Sequence, residues 1–158
     1  MIIGLDHVAI ATGDLNAAVR RFVEDFGLTL HGTEDVLTEL TSTAFFPLQG
    51  TRIELVAPLN GEGPIAKALS TRGEGVHHLC FRTDDIEGDM ARLQAKGYRF
   101  LSDAPKPGAH GAKVVFIHPK SVGGVLIELS QHDGGVHAAP QHDPPQHDPS
   151  ADVAEETL

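Results

Sequence analysis

Asp6-His7-Val8-Ala9-Ile10-Ala11-Thr12-Gly13-Asp14-Leu15 and His77-His78-Leu79-Cys80-Phe81-Arg82-Thr83-Asp84-Asp85-Ile86 are two copies of one pattern. At a constant offset of 71, His meets His, Thr meets Thr, Asp meets Asp, and apolar positions meet apolar positions. Farther along, Ile53-Glu54-Leu55 answers Ile127-Glu128-Leu129 at an offset of 74, the small change that a loop insertion produces. An internal repeat of this size means one structural unit used twice, neither copy large enough to bury its apolar face alone.

Each copy opens with alternating apolar and other residues, as a half-buried strand does. A helix follows: Asp14 is a good N-cap, Leu15, Val19, Phe22 and Phe26 form one stripe, and Gly27 ends it. In the second copy Asp84 or Asp85 caps, Ile86, Met90 and Leu93 make the stripe, and Gly97 closes it. Short strands are expected next, at Thr29–His31, Thr41–Phe46 and Thr51–Ala57, then at Tyr98–Leu101, Val114–His118 and Val125–Ser130. A short helix from Ile65 to Ser70, after Pro64, joins the units. The expected fold is α+β, two βαβββ modules in tandem (about 1–60 and 75–130) that share one cupped mixed sheet with helices outside.

Side chains alternate between the faces of a strand, which sorts the polar residues. If Val8, Ile10, Ile53 and Leu55 pack under helices, then His7 and Glu54 face the hollow of the cup. The same parity sends His78 and Glu128 there from the second copy. A Glu between two aliphatics is ordinarily just the wet side of a strand, and a lone strand His is seldom a ligand. Recurrence of both types at matching positions is what points to a metal held by His7, Glu54, His78 and Glu128. Two imidazoles and two carboxylates without thiolate suit an octahedral divalent ion such as Co²⁺, Mn²⁺ or Ni²⁺ with two positions open.

Composition narrows the class. The chain has 158 residues, 41% hydrophobic and 22% charged, with no apolar run long enough to span a bilayer. Cys80 is the single cysteine, which excludes an intrachain disulfide and fits a reducing, cytoplasmic setting. The formal charge of −10 lacks the basic footprint of a nucleic-acid binder. Much of it sits beyond residue 130, where Asp133, Asp143, Asp148, Asp152, Glu155 and Glu156 occur with no Lys or Arg. The body is thus only mildly acidic and compatible with an anionic substrate. Residues 131–158, with four prolines and Gln-His-Asp recurring at Gln131, Gln141 and Gln146, read as a disordered tail.

Over Leu5 to about Gln131 the sequence resembles the vicinal oxygen chelate superfamily. The resemblance rests on Leu5–Ala11, Ile53-Glu54-Leu55, Ala57-Pro58-Leu59 with Pro64-Ile65-Ala66, Gly73–His78, Pro107–Gly111, and His118 to Leu129. The last run, with the paired His77-His78, is similar to the methylmalonyl-CoA epimerase branch in particular. That resemblance implies metal ligands at His7, Glu54, His78 and Glu128, with Glu128 also the catalytic base. It implies epimerisation at C2 of methylmalonyl-CoA through a metal-stabilised enolate, an acyl-CoA substrate, a homodimer, and Co²⁺ as the first choice of metal. One departure stands out: where some members place a second catalytic glutamate, the aligned residue here is Thr43, with Glu39 nearby in sequence. Lys106, Lys113 and Lys120 are candidates for CoA phosphates, and the loop Pro107–Gly111 for the acyl end of the pocket. Competing expectations are a glyoxalase- or dioxygenase-type enzyme of the same superfamily and a non-catalytic binding module.

Overall fold

The computed structural model describes residues 1–132. Strand β1 (Ile2–Ala11) leads into helix α1 (Leu15–Glu24), and the Asp14 side chain accepts the Ala17 N–H at 2.9 Å, as its N-cap position predicts. Gly27 turns the chain at φ 65°, and the Leu28 N–H reaches back to the Phe22 carbonyl. Strands β2 (Gly32–Val36), β3 (Thr41–Leu48) and β4 (Thr51–Pro58) follow. Helix α2 (Gly63–Arg72) then crosses to β5 (Gly75–Thr83), α3 (Ile86–Ala95), β6 (Lys106–Pro107), β7 (Lys113–Ile117) and β8 (Ile127–Gln131).

All eight strands form one mixed sheet in the order β2-β3-β4-β1-β5-β8-β7-β6. The middle pair, β1 and β5, is antiparallel; each is parallel to its outer neighbour, β4 and β8 respectively. The two copies of the sequence pattern therefore lie side by side at the centre, related by an approximate twofold. The expected α+β cupped mixed sheet is what the chain forms.

Burial follows the predicted parity. Ile10, Ile53, Leu55, Ala44 and Phe46 pack under Leu15, Ala18, Val19 and Phe22 of α1. Val115, Ile117, Ile127 and Leu129 pack under Ile86, Met90 and Leu93 of α3. Completely buried aliphatics such as Ile86 and Leu129 each contribute about 1.5–3 kcal/mol. The other face keeps His7, Glu54, His78 and Glu128.

Several local expectations differ from the structure. The first edge strand is Gly32–Val36 rather than Thr29–His31. An edge strand with Thr33 and Asp35 exposed carries little hydrophobic information to set its register. Tyr98–Leu101 is not a ladder strand and meets β7 through one bridge, Phe100 to Ile117, flanked by hydrogen bonds from Leu101 N–H to Phe116 O and His118 N–H to Arg99 O. Helix α2 does not lie outside: its Ile65 packs on Ala9, Ala11 and Val56, which share the His7 face, so this helix closes one end of the cup.

The loop after β6 ties the two ends of the sheet together. Thr38 Oγ1 donates to Pro107 O at 3.4 Å, the His110 N–H donates to Glu34 Oε2 at 3.2 Å, and the His110 ring packs on Phe45 at 4.3 Å. Gln131, placed by sequence in the tail, instead ends β8, and its side-chain oxygen accepts the Ile86 N–H at 2.8 Å. From residue 133 on, the expected disordered tail lies outside the described residues. No helix among the described residues is long and apolar enough to cross a membrane.

Candidate active site

The sheet encloses a cavity of about 160 Å³. His7, His78 and Glu128 converge on its floor, each nine-tenths or more buried. His78 Nε2 lies 2.7 Å from Glu128 Oε2, His7 Nε2 lies 3.5 Å from the same oxygen, and the two Nε2 atoms are 3.1 Å apart. Two imidazole nitrogens and a carboxylate oxygen thus occupy one small volume, the three ligand atoms all within 4.8 Å of one another. Three buried groups of this kind, drawn from β1, β5 and β8, have the donor chemistry to hold a divalent ion.

Glu54 also lines the cavity and is buried, but its Oε1 accepts the Arg52 Nε–H at 2.6 Å and stands 3.2 Å from His7 Nδ1. It therefore sits on the far edge of the His7 ring from the trio. Arg52 reaches Asp6 as well, with Nη2 to Oδ1 at 2.7 Å, and Arg82 Nε donates to Asp6 Oδ2 at 3.0 Å.

These contacts set the ionisation of the floor. Burial works against charge on Glu128, but hydrogen bonds from His7 and His78 outweigh it and bring its carboxyl down to about 2. Burial likewise opposes charge on His7, while the hydrogen bonds to Asp6 and Glu128 and the nearby Glu54 lift it to about 9. Asp6, despite burial, is held well below the usual carboxylate range by His132, His7 and Arg52. His77 goes the other way: burial, then the neighbouring His78 and Arg72, push it down to about 4.

The cavity lining also contains a group that the sequence left aside. Glu39, in the turn between β2 and β3, lines the cavity alongside Thr41 and Thr43. Burial raises its pKa, Lys106 pulls it down, and the charge of Glu128 pushes it up again. Glu39 was hard to place because it belongs to a turn, where strand parity does not apply; the following Leu40 has φ 50°. Thr43, the residue aligned with the second catalytic glutamate of some members, is buried at the cavity wall. Pro64, Ile65, Val36, Val56, Leu101, Val114, Phe116 and Leu126 complete a mainly apolar lining.

Lys106, Lys113 and Lys120 do not line the cavity, and Lys113 pairs with the exposed Glu87 at 3.4 Å. From the Pro107–Gly111 loop only Ala109 reaches it. His77 lies in the cavity wall with its Nδ1 2.9 Å from His78 Nδ1.

This architecture has close relatives. The profile of the glyoxalase/bleomycin resistance protein/dioxygenase superfamily matches residues 6–116. An ethylmalonyl-CoA/methylmalonyl-CoA epimerase of Cereibacter sphaeroides is 41% identical over 133 residues, covering 83% of this chain and 99% of the relative. The mitochondrial methylmalonyl-CoA epimerase of Homo sapiens is 39% identical over 80% of this chain and 73% of its own length. Among solved structures, a Streptomyces coelicolor methylmalonyl-CoA epimerase variant in complex with 2-nitronate-propionyl-CoA superposes with a TM-score of 0.81 at 32% identity, covering 84% of this chain and 99% of the other. On the profile match and these identities, the chain belongs to the glyoxalase/bleomycin resistance protein/dioxygenase superfamily and is a homologue of the methylmalonyl-CoA epimerases.

Proposed function

We propose that this protein inverts the C2 centre of methylmalonyl-CoA by moving a proton between Glu128 and Glu39. The observation that carries this is the pair of carboxyl groups, supplied by opposite halves of the sheet to one cavity, whose affinities for protons are pushed apart. Glu128 is held ionised and Glu39 is biased toward its neutral form. Acid and base partners of a proton-transfer reaction are distinguished by such environments.

Glu128 takes the proton from C2 of one epimer, and Glu39 delivers a proton to the opposite face. In the reverse direction their roles exchange. The apolar wall formed by Val56, Ile65, Phe116 and Leu126 excludes water, so that C2 is reprotonated by a side chain. A divalent ion held by His7, His78 and Glu128, with Glu54 as a fourth ligand, would supply Lewis-acid stabilisation of the negative charge on the substrate oxygens. Co²⁺ is the first choice, followed by Mn²⁺ and Ni²⁺, since imidazole and carboxylate donors suit all three. The substrate is an acyl-CoA, the protein acts in the cytoplasm as a homodimer, and neither nucleic acid nor a membrane is a partner.

The test is to supply one diastereomer of methylmalonyl-CoA to Co²⁺-loaded protein and quantify the other by chromatography, before and after treatment with EDTA. Inversion that stops on chelation and returns with Co²⁺ supports the proposal. No inversion at any metal loading removes it. Ethylmalonyl-CoA, named for the Cereibacter relative, is the second substrate to assay.

A further inference from the structure

The imidazoles of His7 and His78 present Nε2 to the centre of the cup, and each has a polar neighbour on its Nδ1 edge. For His7 the neighbour is Asp6, with Oδ1 at 3.0 Å. For His78 it is His77, with Nδ1 at 2.9 Å. Both neighbours immediately precede the histidine they touch. On a regular strand consecutive side chains point to opposite faces, so neither contact is open to an unbroken ladder.

The register of the central strand pair explains both contacts. Leu5 faces Phe81 while His7 faces Cys80, so Asp6 is an extra residue in β1. Ala9 faces His78 while Ile10 faces Val76, so His77 is an extra residue in β5. Each is a β-bulge, which re-aims side chains at the cost of one ladder position. The two bulges fall at the same place in the repeat, since Asp6 and His77 are separated by the offset of 71 that relates His7 to His78.

The chemistry at the two edges is complementary to metal ligation through Nε2. A neutral imidazole that gives the lone pair of Nε2 to a metal keeps its proton on Nδ1, where it donates a hydrogen bond. An ionised Asp6 only accepts, and Arg52 and Arg82 hold it in place from behind. His77 Nδ1 accepts when its own proton is on Nε2. Glu54 Oε1 and Arg52 Nη2 also approach His7 Nδ1, at 3.2 and 3.4 Å, farther than the Asp6 oxygen at 3.0 Å.

We propose that Asp6 and His77, delivered by the paired bulges, are positioning residues that fix the Nδ1–H tautomers of His7 and His78 and aim their Nε2 atoms at a divalent cation. The proposal rests on His7, His78 and Glu128 being the metal ligands. The backing is asymmetric, anionic behind His7 and neutral behind His78, so the two ligands differ in donor strength although the repeat makes them equivalent.

The experiment is a Co²⁺ titration of the full chain against a competing chelator, for wild type, His77→Leu, His77→Asn and Asp6→Asn. The His77→Leu change should weaken Co²⁺ binding by about 10–100-fold, the usual effect of losing a hydrogen-bond partner behind a ligand. Asparagine can place Oδ1 where Nδ1 stood, so His77→Asn should bind far more tightly than His77→Leu. Loss of the anionic charge in Asp6→Asn should also weaken binding. In the Zn²⁺-loaded protein, ¹⁵N shifts should show His78 protonated at Nδ1 in wild type and in His77→Asn. Wild-type affinity in all three variants, or equal losses in His77→Leu and His77→Asn, would overturn the positioning role while leaving the metal site standing. A wild-type protein that binds no Co²⁺ would remove the metal site itself.

Discussion

As proposed, Glu128 would carry two duties at once, proton acceptor and metal ligand, and the residues around it decide whether it can do both. In the metal-free protein, hydrogen bonds from His7 and His78 outweigh burial and lower its pKa, so the carboxylate is ionised before a metal binds. Replacing Glu128 with Gln removes the acceptor without changing volume, and turnover should fall by about 10²–10⁴-fold. Retention of more than about a tenth of wild-type turnover, a barrier change under ~1.4 kcal/mol, would contradict the assignment. Glu39→Gln should give a different signature. Glu128 can still remove a proton from one epimer, so solvent exchange at C2 should persist for that epimer while inversion is lost. Equal loss of exchange and inversion from both epimers would contradict the separate roles. The metal-free floor also has a pH signature. The His7 contribution to stability is fully present below pH 6.5 and is lost as pH rises through about 9, because the folded state raises its pKa. Glu128, with its pKa lowered, contributes above pH 4.5 and loses that contribution as pH falls through about 2. With EDTA present, the His7 contribution to the melting temperature should decline between pH 6.5 and 9. That decline should vanish in His7→Gln, and its survival there would contradict the His7 assignment.

At the scale of the element, turns and bulges place what the strands alone do not. Gly63 opens α2 at φ 89°, and a Cβ there would lie 2.8 Å from Leu40 Cβ and 3.2 Å from Glu39 O. Gly63→Ala should therefore displace the turn that holds Glu39, cost about 1–3 kcal/mol, and lower turnover together with the melting temperature. Unchanged stability with unchanged turnover would show that the turn has slack. Strand parity was enough to put His7, Glu54, His78 and Glu128 on the concave face, because period-two alternation is legible in the apolar residues beside them. It could not reveal that Asp6 and His77 share that face, since an extra residue in a ladder breaks the alternation without leaving a mark in composition. The signal available was the repeat itself, which aligns Asp6 with His77 as well as His7 with His78. Glu39 and Arg52 escaped for different reasons. Glu39 lies on a turn with no periodicity, whereas Arg52 shares the face of Glu54 by parity but only its contacts with Asp6 and Glu54 show what it does.

For the molecule as a whole, duplication explains why one cavity draws His7, Glu54, His78 and Glu128 from four separated stretches of sequence. The antiparallel β1–β5 pair brings His7 beside His78, and the parallel neighbours β4 and β8 add the carboxylates. The linker helix and the Pro107–Gly111 loop then close the cup at its end and along its seam. Because the proposed ligands come from both halves, metal removal should loosen the union of the halves as well as stop turnover. EDTA should lower the melting temperature, and Co²⁺ should restore it in proportion to occupancy. A melting temperature independent of metal would place the ion elsewhere. The account stands most directly on what happens to the C2 hydrogen, which ¹H NMR follows when one epimer of methylmalonyl-CoA is given to Co²⁺-loaded protein in D₂O. The result predicted is inverted product carrying deuterium at C2, with no exchange after EDTA. Inverted product that retains the original protium, or an unchanged C2 signal at full metal occupancy, would contradict it.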